Sequence, residues 1–329
     1  MPDILVLNLV FFVLGLAIII RGSDLFLDNA VWIARSYGIS QIVIGATLVS
    51  FCTTLPEVVS SITASLKGSG DMAIGNAVGS VICNTGLILG FMLVMITAKI
   101  RREVFLVKGI FMLGSLVMLL CLSPGLTPGR LAIDRMEGVV LLILLVIFVV
   151  VNYYESIHNF ESREVEGMEK ITRPSGADLA RHLVLFLLGA VCVTLGAWLL
   201  VEFGQKLARN LGVSEAVISL LFIALGTSLP ELFTAISAVR KKAEQVSVGN
   251  IFGANVLNSA LVVGAASTIR PLEPRDAYLM SVDIPMALLL GTMAFLFGLV
   301  RGRMGRRIGL ALLGLYAFYI VSMVWLGRL

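Results

Sequence analysis

Residues 44–57 read IGATLVSFCTTLPE, and residues 218–231, which lie 174 positions later, read ISLLFIALGTSLPE. In each copy a proline and a glutamate interrupt a long apolar run. The same offset relates further identical residues on both sides: Gly15 with Gly189, Gly38 with Gly212, Gly75-Asn76 with Gly249-Asn250, Gly79 with Gly253, Asn84 with Asn258, and Gly90 with Gly264. So many identities at one offset over such a span are not expected by chance, so the chain contains an internal repeat.

The composition excludes a water-soluble domain. Of the 329 residues, 58% are hydrophobic and only 14% are charged, with a mean hydropathy of +0.99. The apolar residues come in long blocks, which is typical of an integral membrane protein. The net charge of +4 is explained by basic cytoplasmic loops, so we expect no nucleic-acid partner. No GxxxxGK[ST] motif is present, so we expect no nucleotide and no cofactor.

A spanning helix needs about 20 mostly apolar residues. The chain offers ten such blocks, near residues 4–34, 40–66, 72–96, 105–122, 131–152, 181–208, 214–239, 246–269, 277–300 and 307–326. Because each repeat holds an odd number of helices, the second must enter the membrane upside down. The predicted fold class is therefore an all-α integral membrane protein with ten transmembrane helices in two inverted five-helix repeats. The predicted units are 1–152, a cytoplasmic polar linker at 153–181, and 182–329.

The basic residues predict the orientation of the chain. With the N-terminus outside, 17 of the 25 lysines and arginines fall in inner loops or in the central linker. The positive-inside rule therefore favours an outside N-terminus.

The two repeated glutamates are the first candidates for a functional site. Glu57 and Glu231 are carboxylates in transmembrane segments, where an acid costs at least about 2.5 kcal/mol. Each follows a proline that removes a backbone donor and frees a carbonyl about one turn earlier. The neighbouring hydroxyls are those of Thr53, Thr54, Thr227 and Ser228.

The segments that follow add amide oxygens. Residues 75–84 read GNAVGSVICN and residues 249–258 read GNIFGANVLN. Asn84 and Asn258 each fall 27 residues after the glutamate of their own repeat, so they can reach the same depth on an antiparallel helix. The glycines allow close helix packing. Oxygen-only ligands are those that Na⁺ and Ca²⁺ accept.

The glutamates have other interpretations. A single Thr-x-Pro kink with one buried glutamate could be structural, but its repetition at one offset favours a site. A channel would need no countertransport. An intramembrane hydrolase would use the glutamates as acid and base, yet no nucleophile accompanies them. His158 and His182, in or beside the linker, are expected to be solvated.

The TTLPE and GTSLPE stretches, each followed by GN-x-x-G, resemble the two α-repeats of the sodium/calcium exchangers in the cation/calcium antiporter superfamily. The resemblance covers nearly the whole chain and implies a prokaryotic two-repeat antiporter in the inner or plasma membrane. It implies ion-site motifs at 50–84 and 224–258, with Glu57 and Glu231 as central ligands. The remaining ligands that it implies are Thr53, Thr54, Thr227, Ser228, Ser80, Asn84, Asn258 and the backbone of Ser50 and Ala224.

The chain departs from the family pattern at several positions. Cys52 and Thr54 replace the glycine and the serine of GTS, Val81 replaces an asparagine, and Ala254 stands opposite Ser80. Asn258 stands where potassium-dependent relatives carry an aspartate, which predicts K⁺ independence. Proton-coupled relatives carry an acid where this chain has Gly79 and Gly253.

Sodium is therefore the expected coupling ion. A proton-coupled antiporter of Ca²⁺ or another divalent cation is the alternative, and Mn²⁺ and Mg²⁺ stay open as substrates. The family implies three Na⁺ per Ca²⁺, which moves one net charge, worth about 2.3 kcal/mol per 100 mV. By analogy with other inverted-repeat transporters, alternating access would come from movement of the first and sixth helices against the rest.

Overall fold

The computed structural model describes residues 2–123, 132–158, 175–211 and 225–326, which are almost entirely helical. Two short strands, β1 (Ala98–Lys99) and β2 (Arg303–Met304), pair antiparallel. The helices are α1 (Pro2–Ser36), α2 (Gln41–Thr53), α3 (Leu55–Leu66), α4 (Gly70–Met95), α5 (Arg102–Leu122), α6 (Arg135–His158), α7 (Gly176–Asn210), α8 (Leu229–Lys241), α9 (Glu244–Ile269), α10 (Leu279–Arg301) and α11 (Arg306–Trp325).

The all-helical membrane class is confirmed. Within the described ranges eight helices are long and apolar enough to span a membrane, or nine if α2 and α3 form one broken span. The predicted helix 40–66 is not continuous, because it breaks at Thr54 and bends by 45°. Pro56, which cannot donate a backbone hydrogen bond, lies in the first turn of α3 and accounts for this break. Of the predicted helix 214–239, residues 214–224 lie outside the described residues.

The predicted linker 153–181 is partly helical. Helix α6 continues to His158, and α7 begins at Gly176. Ser175 caps α7 by accepting a 3.1 Å hydrogen bond from the backbone N–H of Asp178. Tyr153 and Tyr154 are exposed, as aromatic residues at a membrane interface are. The division into the three units stays a prediction.

Helices α1 and α7 are each 35 residues long and pack against each other antiparallel. Gly15 of α1 lies against Leu199 of α7, and Gly22 lies against Cys192, so the numbering rises on one helix as it falls on the other. The glycines bring the two backbones close together.

His182 takes part in this packing and is half-buried, so it is less solvated than the sequence predicted. Its ring stacks on Trp32 of α1 with 3.6 Å between centroids. Its Nδ1 lies 2.6 Å from Oδ1 of Asn29. The helix that follows the polar linker starts early enough to bring His182 against α1. The side chain of His158 lies outside what the structure describes.

Helix α9 lies at the centre of the larger hydrophobic core and is almost wholly buried. Gly249 and Gly253 lie directly against the α2 backbone, at Ile42 and Ala46 respectively. The predicted role of these two glycines in close packing is confirmed. For Gly75 and Gly79, the first-half glycines expected to do the same, no described atom lies within 4 Å of the point that a Cβ would occupy. The positions that the offset of 174 relates to Ile42 and Ala46 are 216 and 220, which lie outside the described residues.

We expect Gly253→Val to lower the free energy of unfolding by about 1–3 kcal/mol or more, because a side chain there would overlap the Ala46 backbone. The matched control is Gly314→Val in α11, an exposed position with no described atom within 4 Å of the added Cβ. Thermal melting of the detergent-solubilised protein measures both. Equal melting temperatures for the two variants would contradict the packing argument.

The loops meet at two opposite ends of the helices. At one end β1 pairs with β2. At the other, Ile133 bridges to Leu272, and a carboxylate oxygen of Asp71 accepts backbone hydrogen bonds from Arg275 (2.8 Å) and Asp276 (3.0 Å). Each grouping joins loops that the basic-residue pattern assigns to the same side of the membrane.

Candidate cation-binding site

The two proline motifs have the same backbone form. Thr54 (φ −83°, ψ −4°) and Ser228 (φ −89°, ψ 5°) each precede a new helix, α3 or α8. The glutamate is then the third residue of that helix, where the free N–H groups and the helix dipole favour a negative charge. The motif therefore delivers one carboxylate per repeat at a helix N-terminus.

Both carboxylates are completely buried and interact electrostatically with each other. No lysine, arginine or histidine in the described part of the chain forms an ion pair with Glu57 or Glu231. Two buried like charges without a counter-charge are strongly unfavourable. The pair therefore suits a positively charged ligand between them.

Hydroxyl groups surround the carboxylates. Ser80 donates to Oε1 of Glu57 at 3.4 Å, and Ser228 donates to Ser80 at 3.3 Å.

Two asparagines, Asn76 of α4 and Asn250 of α9, form hydrogen bonds with residues of the proline motifs. Asn76 donates to the Glu57 carbonyl (3.3 Å) and to Ser61 (3.0 Å), and its oxygen accepts from Thr227 (3.4 Å). The oxygen of Asn250 accepts from Thr53 at 3.2 Å. Because both oxygens already have donors, these asparagines hold the threonines in place.

Six buried oxygens of the predicted ligands have no hydrogen-bond partner among the described residues. They are Oγ1 of Thr54, Oε2 of Glu57, Oδ1 of Asn84, Oε1 and Oε2 of Glu231, and Oδ1 of Asn258. An unpaired buried acceptor is costly, and a bound cation would satisfy it. Ca²⁺ takes six to eight oxygen ligands, so this donor set fits it.

Both predicted amide ligands lie in π-helical segments. One segment is Cys83–Leu89, which includes Asn84, and the other is Asn258–Val262. Such segments insert one extra residue into a helix and are frequent at functional sites. The first packs against α8, which carries Glu231, and the second against α3, which carries Glu57.

The two predicted backbone ligands have different outcomes. The carbonyl of Ser50 is buried and already accepts from the N–H of Thr54 (2.9 Å) and from the hydroxyl of Thr53 (3.3 Å). Ala224 lies outside the described residues. Cys52 and Cys83 are free and pack within the hydrophobic clusters.

The sequence analysis did not identify Asn255 and Thr85, which lie beside the site. Asn255 is fully buried and contacts both Asn84 (3.4 Å) and Thr85 (2.7 Å). The available signal was its position three residues before Asn258, on the same face of an apolar helix.

A sequence profile of the sodium/calcium exchanger protein family matches residues 7–154 and 181–325. The chain belongs to the sodium/calcium exchanger family. It is therefore a multi-pass cell-membrane protein of a family of antiporters, not of enzymes.

Known proteins match this chain along almost their whole length. An uncharacterised membrane protein of Methanocaldococcus jannaschii is 34% identical over 97% of this chain and 99% of its own. The sodium/calcium exchanger MaX1 of Methanosarcina acetivorans is 27% identical over the same shares. The solved exchanger NCX_Mj, soaked with 10 mM Na⁺ and no Ca²⁺, superposes with a TM-score of 0.81 at 29% identity, over 97% of this chain and 99% of that one.

Proposed function

We propose that this exchanger moves Ca²⁺ against Na⁺, with both ions competing for the cluster around Glu57 and Glu231. The observation that carries the proposal is the set of six buried, unpartnered oxygens, three of which belong to these carboxylates. Two negative charges balance one Ca²⁺ or two Na⁺, so the cations exclude each other. A third Na⁺ would rest on neutral oxygens.

The donor chemistry supports hard cations as the substrates. The ligand set combines carboxylate, hydroxyl and amide oxygens, which suit Na⁺ and Ca²⁺ better than softer metals. Because position 258 is an asparagine rather than an aspartate, the ion-binding cluster has two carboxylates rather than three. The described residues contain no group of three or more histidine, cysteine or acidic side chains that could hold a metal ion.

We infer that the fold consists of two inverted five-helix repeats. Gly22 of α1 lies against Val193 of α7, and Gly196 of α7 lies against Ile19 of α1. The offset of 174 relates Gly22 to Gly196 and Ile19 to Val193. The first contact therefore maps onto the second, as expected for a twofold axis in the membrane plane.

Alternating access is supported by the division of the apolar packing. The buried apolar residues of α1 and α7 belong to a smaller hydrophobic cluster, which they share with parts of α2, α8 and α9. Among the described residues, none from α1 or α7 belongs to the larger cluster that joins α4, α5, α9 and α10. Where the helix pair meets the motifs, Phe26 and Val193 lie beside Thr53 and Pro230 across a narrow gap. Motion of the α1–α7 pair against the other helices would open the ion-binding residues around Glu57 and Glu231 to one side of the membrane at a time.

Polar contacts tie α1 to α8 at one end. Asp24 accepts from Ser237 at 2.6 Å and pairs with Arg240 at 3.4 Å, while Lys241 pairs with Asp28 at 2.5 Å. The basic-residue pattern puts this end in the cytoplasm. We infer that the cytoplasmic entrance is closed in this conformation.

Uptake of ⁴⁵Ca²⁺ into proteoliposomes tests the coupling ion. Vesicles are loaded with Na⁺, with K⁺ or with an acidic buffer, and protein-free vesicles serve as the control. We expect uptake only from Na⁺-loaded vesicles, since the cluster offers two charges and hydroxyl and amide oxygens. Uptake driven by the acidic interior alone would overturn Na⁺ coupling in favour of the proton-coupled alternative.

A further inference from the structure

The two repeat-related asparagines of the cluster differ in their surroundings. Asn84 and Asn258 are both completely buried. The Nδ2 of Asn84 donates to Oδ1 of Asn255 at 3.4 Å, which leaves only its own oxygen unpartnered. For Asn258, neither Oδ1 nor Nδ2 has a partner among the described residues. One amide is therefore held in a defined orientation and the other is not.

The orientation of Asn84 is set through Asn255. The Nδ2 of Asn255 donates to the hydroxyl oxygen of Thr85 at 2.7 Å and to the sulfur of Met112 at 3.5 Å. A thioether sulfur has no hydrogen to donate, so the amino group of Asn255 must face it. The oxygen of Asn255 then faces Asn84, whose amino group turns toward it.

The first repeat has no counterpart of Asn255. The offset of 174 maps Asn255 onto Val81, whose side chain has no polar atom. The same offset maps Thr85 onto Ser259, but the Ser259 hydroxyl bonds to Ser115 at 2.6 Å. Among the described residues, no chain of hydrogen bonds therefore orients Asn258 as Asn255 orients Asn84.

We propose that Asn255 is a positioning residue that presents the oxygen of Asn84 to the transported Ca²⁺. This inference rests on the proposed function. Asn255 touches no transported ion, and acts only by holding the amide of Asn84. The cluster then combines one amide that is pre-organised for binding with one, Asn258, that must be ordered by the ion. Residues that orient a metal ligand typically change affinity 10–100-fold when they are replaced.

The test is Na⁺-driven ⁴⁵Ca²⁺ uptake by N255V, which gives α9 the residue that the first repeat carries. We expect the KM for Ca²⁺ to rise about tenfold while the maximal rate changes less than twofold. T85V, which removes the hydroxyl acceptor for Asn255, should raise KM by a smaller factor. N152V removes a buried asparagine of α6 whose one hydrogen bond among the described residues is to Phe148 of its own helix, and should leave KM unchanged.

A double variant separates positioning from general packing. If Asn255 acts through Asn84, N84V/N255V should have the KM of N84V alone. Additive effects in the double variant, or an unchanged KM in both N255V and T85V, would overturn the proposal. Equilibrium binding of ⁴⁵Ca²⁺ to the detergent-solubilised protein accompanies each assay. A wild-type protein that neither binds nor transports Ca²⁺ would instead refute the proposed function, and this inference with it.

Discussion

Replacing Glu57 or Glu231 with glutamine should lower Na⁺-driven Ca²⁺ uptake at least about 30-fold. Glutamine keeps the shape but leaves one carboxylate to face a divalent cation. Removing one partner of a buried, hydrogen-bonded charge pair costs about 2–5 kcal/mol, and each 1.4 kcal/mol is a tenfold change in affinity. Initial rates of ⁴⁵Ca²⁺ uptake, measured over a range of Ca²⁺ concentrations, give the effect of each variant.

The control for these variants is Glu202→Gln. Glu202 is an exposed carboxylate on α7 that pairs with Lys206 of the same helix at 2.8 Å. Such exposed pairs contribute about 0–1 kcal/mol, so uptake should stay within twofold of the wild type. Undiminished uptake in both glutamine variants of the motif would mean that the doubled TLPE and SLPE stretches are structural kinks.

A crosslink between positions 24 and 237 should stop exchange and leave Ca²⁺ binding intact. The side chains of Asp24 and Ser237 meet at 2.6 Å and join α1 to α8. A double cysteine variant, built after replacement of the four natural cysteines, can be linked with a short bifunctional thiol reagent that contains a reducible disulfide. If α1 must move for the site to change sides, the linked protein cannot complete a cycle. Reduction should restore uptake.

The matched control places the same reagent within one helix. Cysteines at 202 and 206 are one turn apart on α7, so their crosslink joins nothing that moves relative to its partner. Uptake by this variant should be unaffected. Continued exchange in fully linked 24–237 protein would show that α1 does not need to separate from α8, and would contradict the proposed motion.

The features that the sequence predicted correctly are those encoded locally. The disturbance of the backbone ahead of Glu57 follows from Pro56, because a missing N–H perturbs a helix whatever packs around it. The full break at Thr54 was not predicted, since residues 40–66 were expected to form one helix. The burial of both glutamates follows from the apolar runs in which they lie. A repeat offset also carries long-range information, since it requires the two motifs to have the same local form.

Features that depend on distant partners could not be predicted from local pattern. The π segments at Cys83–Leu89 and Asn258–Val262 change the hydrogen-bond register without a change in composition. The sequence pattern does not distinguish Asn76 and Asn250 from Asn84 and Asn258. In the structure the oxygens of Asn76 and Asn250 accept hydrogen bonds from Thr227 and Thr53 respectively. His182 was misjudged because the ring that covers it, Trp32, is 150 positions away.

The antiparallel packing of α1 on α7 has a consequence for biosynthesis. About 140 residues separate the end of α1 from the start of α7. At roughly 5–20 residues per second, the first helix must wait on the order of 10 s in the membrane before its partner is synthesised. During that time the Gly15 and Gly22 face of α1 is uncovered, and such small-residue faces are those through which membrane helices associate. The nascent chain is thus most open to pairing with a wrong helix before its second half has left the ribosome.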